Sequence, residues 1–175
     1  MIIDAISPLD GRYANKLKPH RNYFSEKGLM YYRCKVELLY VLALDEAGLF
    51  EPLNQTEKAN IQDCIDHFTD ADYQRIKAIE SVTNHDVKAC EIFLRERTQL
   101  RDVNMLHFAL TSEDVNNLAY NFMLKDYLEQ QHLPQIETVL NKLIELAEQW
   151  KQIPFPSRTQ GQKASPSTAG KEFAV

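Results

Sequence analysis

Four polar clusters interrupt an otherwise apolar and periodic chain: Ser7-Pro8-Leu9-Asp10-Gly11-Arg12-Tyr13, Thr83-Asn84-His85-Asp86, Thr111-Ser112-Glu113-Asp114 and Ser157-Arg158-Thr159-Gln160-Gly161-Gln162. The second and third have the composition of helix N-caps. A helix start presents unpaired N–H groups and a partial positive charge. It therefore suits phosphate or carboxylate, with hydroxyls and amides as extra donors. Arg12 could add a bidentate clamp. Each cluster alone is an ordinary cap or turn; together they form a candidate anion-binding set whose convergence the spacing does not decide. His85 lies in a polar cap, so a binding or acid/base role stands level with plain capping. His67 and His107 sit among apolar residues and read as structural, and His132 reads as surface. No His, Cys and carboxylate set has metal-ligand spacing, and there is no glycine-rich phosphate loop, so neither metal nor cofactor is expected.

The elements that must hold these clusters are helical. Ser25 caps a segment in which Leu29, Tyr32, Val36, Leu39 and Ala43 form an apolar stripe ending near Gly48. Thr56–Phe68, Asp70–Ser81 and Asn84–Thr98 are expected as further helices. After Thr111–Asp114 almost no helix breaker occurs until Pro154, a stretch of about 40 residues and ~60 Å at helical rise. A compact globule of this length is roughly 40 Å across, so the stretch overshoots its own domain. Ile136, Leu140, Leu143, Ala147 and Trp150 keep heptad spacing, and Leu133, Val139, Ile144 and Leu146 widen the face, which requires several partner helices. The competing expectation is an antiparallel pair folded at Pro134. From Phe155 to Gly170 the composition turns to Pro, Ser, Thr, Gly and Gln, and a new helix is expected from Lys171.

The chain has 175 residues, 20 basic against 25 acidic, 44% hydrophobic and only five glycines, which favours long helices and excludes an all-β sandwich. The net charge of −5 argues against a general nucleic-acid partner; the densest basic cluster is only Lys16, Lys18, His20 and Arg21. The longest apolar run, Leu38–Leu44, is too short for a bilayer, and Asp4 and Asp10 stand where a signal peptide would be basic or apolar. A cytoplasmic protein without a membrane partner is expected. Cys34, Cys64 and Cys90 are odd in number and lack a CxxC pair, so they read as free thiols.

Three of the clusters, extended to Ser7–Tyr13, Thr83-Asn84-His85-Asp86-Val87-Lys88 and Thr111-Ser112-Glu113-Asp114-Val115-Asn116-Asn117, closely resemble the adenylosuccinate lyases of the fumarase and aspartase superfamily. The resemblance spans the chain and less than half of the family's usual length. It implies an all-α fold: an N-terminal helical domain over 1–110, then, over 111–175, the first long helices of a bundle domain shared by four subunits. The implied activity is β-elimination of fumarate from adenylosuccinate, giving AMP, and from the succinylated imidazole carboxamide ribotide of purine synthesis. By motif matching Arg12 and Tyr13 would touch the nucleotide phosphate region, Asn84, His85 and Asp86 the nucleotide, and Thr111 and Ser112 the succinyl carboxylates.

One departure bears on the chemistry. The family's usual acid is the histidine of a Thr-His-Gly-Gln motif, which here reads Thr159-Gln160-Gly161-Gln162, followed by Lys163 where proline is common. A glutamine amide hydrogen-bonds but releases no proton near neutral pH. The family's base, a serine on a mobile Ser-Ser-x-Met-Pro loop, has no counterpart in this sequence. The expectation is thus a truncated, inactive lyase that binds a purine nucleotide weakly and self-associates through its long helices. The alternative is a non-catalytic helical interaction module, or pseudoenzyme, that associates with a full-length lyase.

Overall fold

The computed structural model describes residues 5–175; Asp4 lies outside the described residues. It divides into two compact units, residues 1–127 and 128–175. The first unit opens with turns and a 3₁₀ segment, Lys18–His20. It continues with helices α1 (Arg21–Phe24), α2 (Glu26–Glu46), α3 (Gln55–Asp66), α4 (Asp70–Thr83), α5 (Asp86–Thr98) and α6 (Ser112–Tyr127). The second holds a π-helical segment, Leu128–His132, then α7 (Leu133–Gln149), strands β1 (Pro154–Thr159) and β2 (Gln162–Thr168), and a 3₁₀ turn at Gly170–Phe173. The fold class is therefore helical, as expected, with one small hairpin.

Local chemistry explains the boundaries. Ser25 Oγ accepts the Gly28 N–H at 3.1 Å to start α2. Reciprocal capping boxes, Asn54 with Glu57 and Thr69 with Asp72, start α3 and α4. α2 is buried on two sides. Met30, Cys34, Leu38 and Val41 join Ile61, Ile76, Cys90 and Leu94 in the larger apolar cluster, drawn from α2, α3, α4 and α5. Tyr32 and Val36 join Tyr23, Val87, Val115, Ala119 and Met123 in a second, which ties α1, α5 and α6 to α2. At about 100° per residue, positions 33 and 37 fall between these faces. They carry the buried polar residues Arg33 and Glu37. All three cysteines are free and buried, as free thiols were expected to be, and burial pushes the Cys34 thiol well up.

Three expectations need correction. No break in helical structure falls at Pro134, which lies in the first turn of α7 directly after the π segment. A first-turn proline gives up an N–H that has no essential partner there, and the π turn changes the local register ahead of it. The polar segment after Pro154 is an antiparallel hairpin, with Thr159 opposite Gln162 and Pro156 opposite Pro166. Three prolines argue against a strand in a sheet interior, but a two-stranded ribbon has only edges, where a missing N–H costs little. The helix expected from Lys171 is a single 3₁₀ turn. No helix among the described residues is long and apolar enough to cross a membrane.

Candidate functional site

The second and third polar clusters do open helices. Asn84, in the left-handed region at φ 52°, ends α4, its N–H donating to the Glu80 carbonyl at 2.8 Å. His85 then caps α5: its Nδ1 accepts the Lys88 N–H at 3.2 Å, which assigns the ring proton of the neutral form to Nε2. The imidazole is half exposed. Asp86 is the first residue of α5. Burial pushes its carboxyl up, but the Val87 N–H and the Arg33 guanidinium outweigh this and hold it below the usual range. At α6, Thr111 supplies the first helical carbonyl acceptor, and both its N–H (2.8 Å) and its Oγ1 (3.0 Å) donate to Asp114 Oδ2. These two donors, the backbone one first, lower the Asp114 carboxyl. Ser112 begins α6, half-buried.

These two helix starts are brought together by a residue that no motif contains. Arg33 of α2 sets NH1 2.8 Å from Asp86 Oδ2 and donates from Nε to Asn116 Oδ1 at 2.9 Å. Val87 and Val115, next to those two partners in sequence, are buried in the same apolar cluster. One turn further along α2, Glu37 is fully buried. It accepts from the His107 backbone N–H at 2.9 Å and pairs with its Nδ1 at 2.5 Å. Burial raises the Glu37 carboxyl, with His107 pulling against it. His107 is held in the core by its hydrogen-bonded pairing with Glu37 rather than by apolar packing. It anchors the loop that leads to Thr111. In the sequence Arg33 and Glu37 are two of three charges, with Lys35, inside the run from Tyr31 to Leu44, and nothing local sets them apart.

The first and fourth clusters are placed differently. Ser7 closes a turn, its Oγ accepting the Leu9 N–H at 3.2 Å and its carbonyl the N–H groups of Asp10 and Gly11. Asp10 lies 3.7 Å from Arg21 of α1, and the Arg12 guanidinium sits 5.5 Å over the ring of Tyr13. Among the described residues no hydrogen bond or ion pair joins Arg12 or Tyr13 to His85 or Ser112. Gln160 and Gly161, at φ 50° and 76°, are the two central residues of the β1–β2 turn. Two successive positive φ values make this a type I′ hairpin turn. The Gln160 side chain is exposed at its tip. Among the described residues no group of three or more His, Cys, Asp or Glu could hold a metal ion.

The geometry matches known proteins along most of the chain. The family described as Lyase is matched over residues 11–175. Adenylosuccinate lyase from Haemophilus influenzae is 44% identical over 98% of this chain and 40% of its own length. The Dictyostelium discoideum enzyme is 40% identical over 99% and 40%, and the Vibrio cholerae enzyme 46% over 98% and 40%. The chain thus spans about two fifths of these relatives. Among solved structures, a fumarate lyase from Mesorhizobium superposes with TM-score 0.68 at 20% identity, over 89% of this chain and 36% of that one. A β-carboxy-cis,cis-muconate cycloisomerase from Acinetobacter calcoaceticus gives 0.64 at 19%, over 90% and 36%; both speak to the fold alone. The paired helix starts, the buried α2 that joins them and these matches lead to one conclusion: the chain belongs to the lyase family and is similar to the N-terminal portion of adenylosuccinate lyases.

Proposed function

We propose that this chain carries the nucleotide- and carboxylate-binding helix starts of an adenylosuccinate-type lyase of purine synthesis. The reaction releases fumarate from adenylosuccinate, or from the succinylated imidazole carboxamide ribotide. In that β-elimination a base removes a proton beside a carboxylate, the C–N bond breaks, its electron pair stays on nitrogen, and an acid protonates that nitrogen. The observation that carries this reading is that Thr83–Asp86 and Thr111–Asp114 open two helices packed in one apolar cluster. His85, with Asn84 and Asp86 beside it, faces the nucleotide; Thr111 and Ser112 take the succinyl carboxylates; Arg12 and Tyr13 take the phosphate region.

Gln160 stands at the acid position as an exposed amide on a hairpin tip. It can hydrogen-bond the departing nitrogen and cannot protonate it. The 175-residue chain by itself therefore binds weakly and does not turn over. An exposed helix start contributes about 0.3–1 kcal/mol, while a Kd of 1 mM requires about 4 kcal/mol. The expected results are fumarate release no greater than in a heat-killed control, and AMP binding by calorimetry at millimolar Kd or weaker, weakened further by Arg12→Ala and by His85→Ala. Fumarate above the control would reverse the assignment of Gln160; micromolar AMP affinity would mean a far more complete site.

A second reading is favoured by α7, whose apolar face is exposed at Ile136, Leu140 and Ile144. Its heptad spacing suits other copies of the same helix, so the chain self-associates in the cytoplasm as an interaction module, alone or with a full-length lyase. Co-elution of this chain with an intact lyase on size exclusion supports that role; separate elution removes the lyase partner.

A further inference from the structure

Arg33 is buried, with its side chain only 5% exposed. A cation so placed requires partners, since an unpaired buried charge costs several kcal/mol. Its two partners lie on two different helices: Asp86 at the first position of α5, next to the His85 cap, and Asn116 one turn after Ser112 on α6. Met30 Sδ, 3.7 Å from NH1, borders it along α2. The guanidinium is a planar fork that can serve a carboxylate from one edge and an amide oxygen from another without bending. The surroundings are apolar, with Val87 and Val115 buried beside the partners, so either contact is costly to break. A displacement of the α5 start therefore meets resistance from α6 through this one side chain.

We infer that Arg33 is a positioning residue that couples the two helix starts, so that a group held at His85 and a group held at Ser112 are placed relative to each other by it. The nature of the ligand rests on the function proposed above; the coupling does not. The test uses ¹H–¹⁵N spectra of the full chain. In the otherwise native protein, Asn116→Ala on α6 shifts the Val87 and Lys88 amide signals on α5. With Arg33→Met, which fills similar space without the fork, the same substitution leaves those signals in place. Arg33→Lys, a point charge, also loses the cross-effect. If Arg33→Met prevents folding, Asp86→Asn, read at the Val115 and Asn116 amides with and without Arg33→Lys, makes the same measurement in reverse. A cross-effect that survives both Arg33 substitutions, or none in the native background, overturns the inference. Where binding of adenylosuccinate, which offers both the nucleotide and the succinyl carboxylates, is measurable, Arg33→Lys weakens it by about tenfold, within the range of coupling between linked sites. If the native chain binds no AMP, the functional proposal fails, while the spectra still decide the coupling.

Discussion

In α2 the stripe Met30, Cys34, Leu38 and Val41 is sealed against α3, α4 and α5, whereas in α7 the stripe Ile136, Leu140 and Leu143 is 48%, 52% and 38% exposed. Both stripes have helical period and similar residues. In residues 128–175 only Gly170 is buried, where its amide donates to Trp150 and an added Cβ would meet the Ala147 carbonyl oxygen at 2.2 Å. That close packing covers the C-terminal end of α7, together with the Trp150–Phe173 ring contact, and leaves the rest of the face open. Periodicity thus identifies which face of a helix is apolar; whether that face is covered depends on partners far away in sequence.

The comparison can be broken most directly with matched truncations. Leu38→Ala removes a fully buried side chain and lowers unfolding free energy by about 3–4 kcal/mol in urea titration. Leu140→Ala changes it by less than about 0.5 kcal/mol at low protein concentration. Leu140→Glu instead reduces self-association in sedimentation. Equal costs for the two alanine variants would show that α7 is as well covered as α2.

The polar residues sharpen the same contrast. Glu37→Ala strips both acceptors from the His107 N–H and ring inside the core and costs about 3 kcal/mol in the same titration. A loss below about 1 kcal/mol would show that His107 finds another partner.

Smaller effects come from acid. The Arg101 guanidinium first, then the Arg101 and Asn54 N–H groups, hold the Glu57 carboxyl at about 2 against an ordinary 4.5. The unfolded chain therefore takes up this proton first. The stabilisation is complete above about 4.5 and is lost as pH falls toward 2. Glu57→Gln costs about 1–2 kcal/mol near neutrality and flattens the stability profile over that window. Glu148 of α7 is also lowered by its lysine, Lys151, but the pair is exposed, so Glu148→Gln leaves the acid profile unchanged.

Much of the first unit was legible because its signals are local. Ser25, the Asn84–Asp86 junction and Thr111–Asp114 carry their own capping partners within three or four residues, so boundaries fell within about three residues of expectation. The hairpin was not legible. Pro154, Pro156 and Pro166 mask strand character, and Gln160-Gly161 is a weaker turn signal than Asn-Gly. The site was legible in part: His85, Asp86, Thr111 and Ser112 stood out by composition and Asn116 came with the third motif, while Arg33 and Glu37 did not stand out.

By itself the sequence determined the helical class, the caps that open α5 and α6, the apolar face of α7 and the amide at Gln160, because each depends on residue types a few positions apart. Of the stripe expected on α2, by contrast, only Tyr32 and Val36 are buried, and the main core takes Met30, Cys34, Leu38 and Val41 instead. Tertiary structure alone decided that Arg33 serves Asp86 and Asn116 together, across separations of 53 and 83 residues, and that Glu37 receives His107 from 70 residues away. The physical reason is that a buried charge is tolerated only where partners from other helices arrive with hydrogen-bonding geometry, and that arrival is a property of packing rather than of any local run of residues.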